Sequence, residues 1–79
     1  MDTINGYVII AQSETPRATA TRAGRVILVD RGENTFQRYV TAWQGRDGNV
    51  WDSSWCWGHY FEDKANAHID YCRRTARGY

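Results

Sequence analysis

Four side chains with the chemistry of zinc ligands fall within one short window, as Cys56-x2-His59 followed by His68-x3-Cys72. Thiolate sulfur and imidazole nitrogen are common donors to tetrahedral zinc, and two ligands one helical turn apart can chelate a single ion. His68 and Cys72 have that separation. Cys56 and His59 fit less well, because an odd separation along an extended strand sends two side chains to opposite faces unless Gly58 sits in a bulge. The same thiols and imidazoles offer a nucleophile and a base, with Asp52, Asp63 or Asp70 to orient them. Neither thiol, however, lies in a glycine-rich turn or a nucleophile elbow. Packing is the simpler role for both cysteines, and neither enzyme activity nor a metal or other cofactor is expected. Gly45, Gly48 and Gly58 lack the spacing of a phosphate-cradling loop.

The elements that must position these residues are legible as a change of period. Residues 7–11 (YVIIA) and 26–29 (VILV) are β-branched apolar runs of strand length. Residues 12–24 read as a long mobile connection, or as a ragged edge pairing through residues 17–21, with Pro16 breaking any central strand. A third strand is expected over 35–43 and a fourth over 50–60, with an Asp47-Gly48 hairpin signal between them. From Asp63 the period becomes 3.6. On a helix over 63–77, Ala65, His68, Ile69, Tyr71, Cys72 and Ala76 share one arc, while Asn66, Asp70, Arg73, Arg74 and Arg77 share the opposite one. Glu62 and Asp63 suit the start of that helix, the arginines its end, and Gly78 its stop. The spacing therefore predicts a single α+β domain over 1–79, with a three- or four-stranded antiparallel sheet and one C-terminal amphipathic helix on one face. Ile69 should lie in its core, where a carboxylate would cost several kcal/mol.

Composition narrows the functional classes. The 79 residues are 42% hydrophobic and 14% aromatic, too apolar for a disordered tail. No run reaches the length of a membrane helix. The first five residues lack the basic start and apolar run of a secretion signal, so a cytoplasmic location in the host bacterium is expected, with both cysteines as free, buried thiols. Ten basic residues against nine acidic ones argue against an acidic DNA mimic and against a duplex-binding protein that works by phosphate neutralisation.

Three of the four tryptophans fall between Trp51 and Phe61. Along the third strand Tyr39, Thr41 and Trp43 point one way and Val40 and Ala42 the other, and along the fourth Trp51, Trp55 and Trp57 alternate with Asp52, Ser54 and Cys56. One helix covers one face, which would leave aromatic residues on the other for a partner. The expected anchors are Tyr39, Trp43 and Trp51, with Arg73, Arg74 and Arg77 contributing from the polar arc of the helix.

Tyr39-Val40-Thr41, then Trp57-Gly58-His59-Tyr60-Phe61, then Ala67, Asp70-Tyr71 and Arg74 resemble a pattern found in small proteins of bacteriophages and other mobile elements, over residues 4–74 in outline. The Trp-Gly-His-Tyr-Phe stretch is its distinctive part. The resemblance implies an inhibitor of host defence of the anti-CRISPR kind, one that blocks a CRISPR-associated surveillance or nuclease complex by occupying a site on it. Two competing expectations stand beside it: a nucleic-acid-binding module that stacks bases on sheet aromatics, and a zinc-stabilised adaptor built on Cys56, His59, His68 and Cys72.

Overall fold

The computed structural model describes residues 2–15 and 22–79. Its elements are β1 (Thr3–Ile4), β2 (Tyr7–Thr15), β3 (Gly24–Asp30), β4 (Tyr39–Asp47), β5 (Val50–Trp51), β6 (Cys56–Phe61) and α1 (Lys64–Arg77). All strand pairs are antiparallel, in the order β1-β2-β3-β4-β5, and β6 also pairs with β4. The α+β class is as expected. The strand count is higher because a two-residue strand, β1, is added beside β2 and the expected fourth strand is divided into β5 and β6. Asn5 and Gly6 join β1 to β2 with φ of 52° and 79°, the paired left-handed conformation of a tight hairpin turn.

Local sequence explains most of the strands and tertiary contacts explain their ends. β2 continues through Gln12 to Thr15 in register with β3, where a mobile connection was expected. Pairing fixes these polar residues in place, and the expected edge over residues 17–21 lies outside the described residues. β4 begins at Tyr39 and not at residue 35, because residues 35–38 belong to a loop. The expected fourth strand is cut in two. Arg46 faces Trp51 and Trp43 faces Cys56, so residues 52–55 bow out of the sheet. Hydrogen bonds from Asp52 N to Gly45 O (2.9 Å) and from Gln44 Nε2 to Asp52 O (2.7 Å) hold that excursion.

Both faces of the curled sheet are covered. Ile27, Val29, Val40 and Ala42 project to one side and meet Ile4 and Ile9, with Tyr7 and Trp55 closing the cluster. Arg25 seals its end: the guanidinium is buried, bonds to Gln44, Asp2 and Gln12, and lies 4.0 Å from the Trp51 ring centroid. Val26, Leu28, Thr41 and Trp43 project to the other side, where α1 contacts β3, β4 and β6. Among the described residues, Trp43 is buried and Tyr39 and Trp51 are half-buried, so these expected anchors do not form an uncovered sheet face. A sheet that curls over its own N-terminal hairpin needs the helix on one side only. Gly24 is required for this packing, since a Cβ there would fall inside the Trp43 indole.

The helix has the expected ends and an unexpected orientation. Asp63 caps it by accepting from Ala65 N at 3.0 Å, and Gly78, at φ 99°, donates to Arg74 O at 2.7 Å. The stripe that meets the sheet is Ala67, Asp70, Tyr71 and Arg74, with Ala67 and Arg74 buried. Ala65, His68, Cys72 and Ala76 are exposed and Ile69 is 50% exposed. Of the arc assigned to the core only Tyr71 is half-buried, and two residues assigned to solvent, Asp70 and Arg74, are turned inward.

Candidate functional site

Polar chemistry accounts for that rotation. Arg74 is 1% exposed, and its Nη1 donates to Thr41 O (3.0 Å), Thr41 Oγ1 (3.3 Å) and Trp57 O (2.7 Å). Asp70 Oδ2 accepts from Thr41 Oγ1 at 2.6 Å and lies 2.9 Å from His59 Nδ1. Helix positions 67, 70, 71 and 74 fall on one stripe by the i, i+3, i+4, i+7 rule. The sheet offers that stripe two carbonyls and a hydroxyl, which satisfy Arg74 Nη1 and the Asp70 carboxylate, while Arg74 Nε is buried with no hydrogen-bond partner among the described residues. Burial lowers the pKa of Arg74, with Asp70 opposing the shift. Burial also pushes Asp70 upward as the largest single influence, but the Thr41 hydroxyl, His59 and Arg74 together outweigh it, and the Asp70 carboxyl sits below its ordinary value.

An imidazole oriented by a carboxylate is half of a nucleophilic triad. The other half is absent among the described residues. Thr41 is fully buried and its hydroxyl donates to Asp70, and neither thiol is a partner of His59. The network joins the helix to the sheet. It also fixes an irregularity in β6: Ala42 faces both Trp57 and Gly58, and Trp57 has φ 55°. That left-handed conformation is unfavourable for a bulky side chain, and Arg74 holds the Trp57 carbonyl that goes with it.

The bulge at Trp57-Gly58 brings Cys56 and His59 to one side of β6, as the sequence allowed. His68 and Cys72 do stand together, with Nδ1 and Sγ 3.8 Å apart, but on the exposed side of the helix. Among the described residues no three of His, Cys, Asp and Glu gather as a metal-holding group. Both thiols are exposed, which corrects their expected packing role.

The expected anchors separate into three kinds. Trp43 is 3% exposed and Arg74 is buried, so neither is a surface anchor. Tyr39 is half-buried beneath the Arg38 guanidinium (5.3 Å), and Trp51 is half-buried against Arg25 and Arg46 (4.0 and 5.6 Å). Arg73 and Arg77 are exposed, and Arg77 lies 4.7 Å from the Tyr79 ring and bonds to its carbonyl.

The exposed aromatic residues cluster around β6. On the helix side the Trp57 ring is 50% exposed, 5.4 Å from Trp43 and 6.0 Å from Tyr79. On the other side Tyr60 is 42% exposed, accepts from Trp55 Nε1 at 3.2 Å and lies 5.2 Å from the Arg31 guanidinium. Phe36, in the loop before β4, is also exposed. The aromatic density of residues 51–61 was the available signal for β6; for Phe36 the sequence held only a run of turn formers. An open cleft of about 410 Å³ elsewhere is lined by Arg22, Ala23, Arg46, Asp47, Gly48 and Asn49. Its arginines are engaged, Arg22 with Asp52 (2.7 and 2.9 Å) and Arg46 with Glu14 (3.4 Å). Compared with known proteins, the chain matches no family model, no curated protein and no solved structure.

Proposed function

We propose that this protein acts by binding, without catalysis, and that it inhibits a host defence complex by covering a site on it, in the manner of an anti-CRISPR protein. The observation that carries the binding part is the aromatic surface on both sides of β6. Trp57, Tyr60 and Tyr79 are each at least 42% exposed. Trp57 and Tyr79 with Arg77 on the helix side, and Tyr60 with Arg31 on the other, have the composition of protein contact sites. The phage part rests on the resemblance of the Trp57-to-Phe61 stretch alone.

Affinity capture from a lysate of a CRISPR-bearing host, followed by identification of the bound chain and a cleavage assay on the purified complex, tests both parts. The expected result is a stoichiometric protein complex whose nuclease activity falls as this protein is added. Capture of single-stranded nucleic acid, with affinity that drops steeply as salt rises, would replace this reading by base stacking on the same aromatics.

A further inference from the structure

The outward side of α1 carries an arrangement that neither the sheet nor the β6 surface uses. Because the helix docks through Ala67, Asp70 and Arg74, its other arc faces water, and Ala65, Ile69, Cys72 and Ala76 follow one another along it at alternating spacings of four and three residues. That is the spacing of the seam along which two helices pack. His68 stands at the margin of this seam, and its Nδ1 lies 3.8 Å from Cys72 Sγ.

The separation matches the bite of a metal ion. Tetrahedral zinc with bonds of about 2.3 Å to a thiolate and about 2.1 Å to an imidazole holds that sulfur and nitrogen about 3.6 Å apart. Both side chains are exposed, so an ion reaches them without any change of the fold. The pair supplies half of the four donors that a closed zinc site uses. No third His, Cys, Asp or Glu gathers with it among the described residues, and residues 16–21 carry none of these types. We propose that His68 and Cys72 are half of a site for zinc or a similar borderline cation, and that the same two residues of a second copy complete it. The inference is independent of the binding function proposed above.

The second copy is assigned by the half-site together with the seam. Two α1 helices laid antiparallel about a two-fold axis through the ion set Ala65 of one copy opposite Ala76 of the other, and Ile69 opposite Cys72. Small residues at both ends of the seam allow close approach, and the two half-exposed Ile69 side chains become covered. Such a contact uses the same patch on both copies and closes as a dimer. Lys64 and Arg73 beside the seam are exposed and of one sign, so two copies without the ion repel, and a seam of four residues a side is too small for a stable interface. The two Cys72 thiols pass their protons to solvent on binding, and the resulting thiolates balance the charge of the ion. The ion, and not the seam alone, makes the dimer. Cys56 and His59 do not take this role: His59 Nδ1 is held 2.9 Å from Asp70 Oδ2, and β6 of one copy against α1 of the next would propagate as a head-to-tail contact.

The test uses the full chain, reduced with a non-thiol reductant, freed of metal, and titrated with zinc or with cobalt as its coloured substitute. The wild type should pass from the 9.1 kDa monomer to a dimer by sedimentation, take up one zinc per two chains, and show the visible absorption of tetrahedral cobalt with a thiolate-to-metal band. Zinc should protect Cys72, but not Cys56, from a chromogenic disulfide. His68→Asn and Cys72→Ser lie at exposed positions and should melt like the wild type. Both should lose the dimer and the cobalt colour, whereas Cys56→Ser should keep them. A wild type that stays monomeric with zinc, uptake of one ion per chain, or a dimer that persists after chelation would each refute the shared site. A dimer lost in Cys56→Ser and kept in Cys72→Ser would move the ligands to β6 and overturn the assignment.

Discussion

Replacing Arg74 with methionine keeps much of the buried volume and removes all three donated bonds, so it isolates the polar contribution to helix docking. Thr41 O and Trp57 O would lose the guanidinium at 3.0 and 2.7 Å. An acceptor left without its partner in the interior costs about 1–3 kcal/mol, and Asp70 would lose a favourable positive neighbour. Summed over the two carbonyls, the expected loss is about 3–5 kcal/mol. A domain of this size has roughly 4–12 kcal/mol in total, so the change consumes a large fraction of it. The melting temperature should fall by more than about 12 °C. Ile69→Asp is the counterpart, because Ile69 is half exposed and a carboxylate there stays hydrated; it should change stability by less than about 1 kcal/mol. Urea unfolding of both variants beside the wild type reads the two numbers. A tolerant Arg74→Met together with a collapsing Ile69→Asp would mean that the helix docks through its apolar arc and that the network described above does not hold it.

Acid unfolding should report Asp70. Its folded-state pKa lies below the unfolded value near 3.9, so its contribution is fully present above that value and disappears as pH falls through the folded one. Asp70→Asn should therefore be less stable at neutral pH and lose less stability between about pH 5 and pH 2 than the wild type; parallel acid titrations would expose the error if the two curves ran with the same slope. Gly24→Ala should destabilise by at least about 1–3 kcal/mol through its clash with the Trp43 indole, and an unchanged thermal melt would show that the indole can move away. Cys56 and Cys72 are both exposed, so two thiols per chain should react with a chromogenic disulfide before any denaturant is added. A thiol that reacts only after unfolding would place that cysteine in the interior.

The ends of the helix were legible in the sequence because caps act locally. Asp63 and Gly78 need only their own neighbours to start and stop the helix. The hairpin after β4 and the apolar runs of β2 and β3 were legible for the same reason, although Asp47 ends β4 paired with Val50 and the turn itself is Gly48-Asn49: turn geometry and β-branched runs are properties of a few adjacent residues. The break between β5 and β6 was not. Its only local signal is the run of turn formers Asp52, Ser53 and Ser54; the contacts that hold residues 52–55 out of the sheet come from Gly45 and Gln44 on β4.

Tertiary structure alone decided which side of the helix faces the sheet. Hydrophobicity summed around α1 favours the arc containing Ile69 and Cys72, yet the arc containing Ala67, Asp70 and Arg74 is the one that docks. The reason is that a burial rule assigns a cost to a guanidinium and a carboxylate without knowing their partners. Here β4 and β6 place the Thr41 carbonyl and hydroxyl, the Trp57 carbonyl and the His59 imidazole within bonding distance of those two groups. Those acceptors and donors come from positions 11 to 33 residues away in the chain, so their convergence belongs to the fold. The same holds for the surface: composition showed that the chain is rich in aromatic residues, and only the curl of the sheet decided that Trp43 is covered while Trp57, Tyr60 and Phe36 face water.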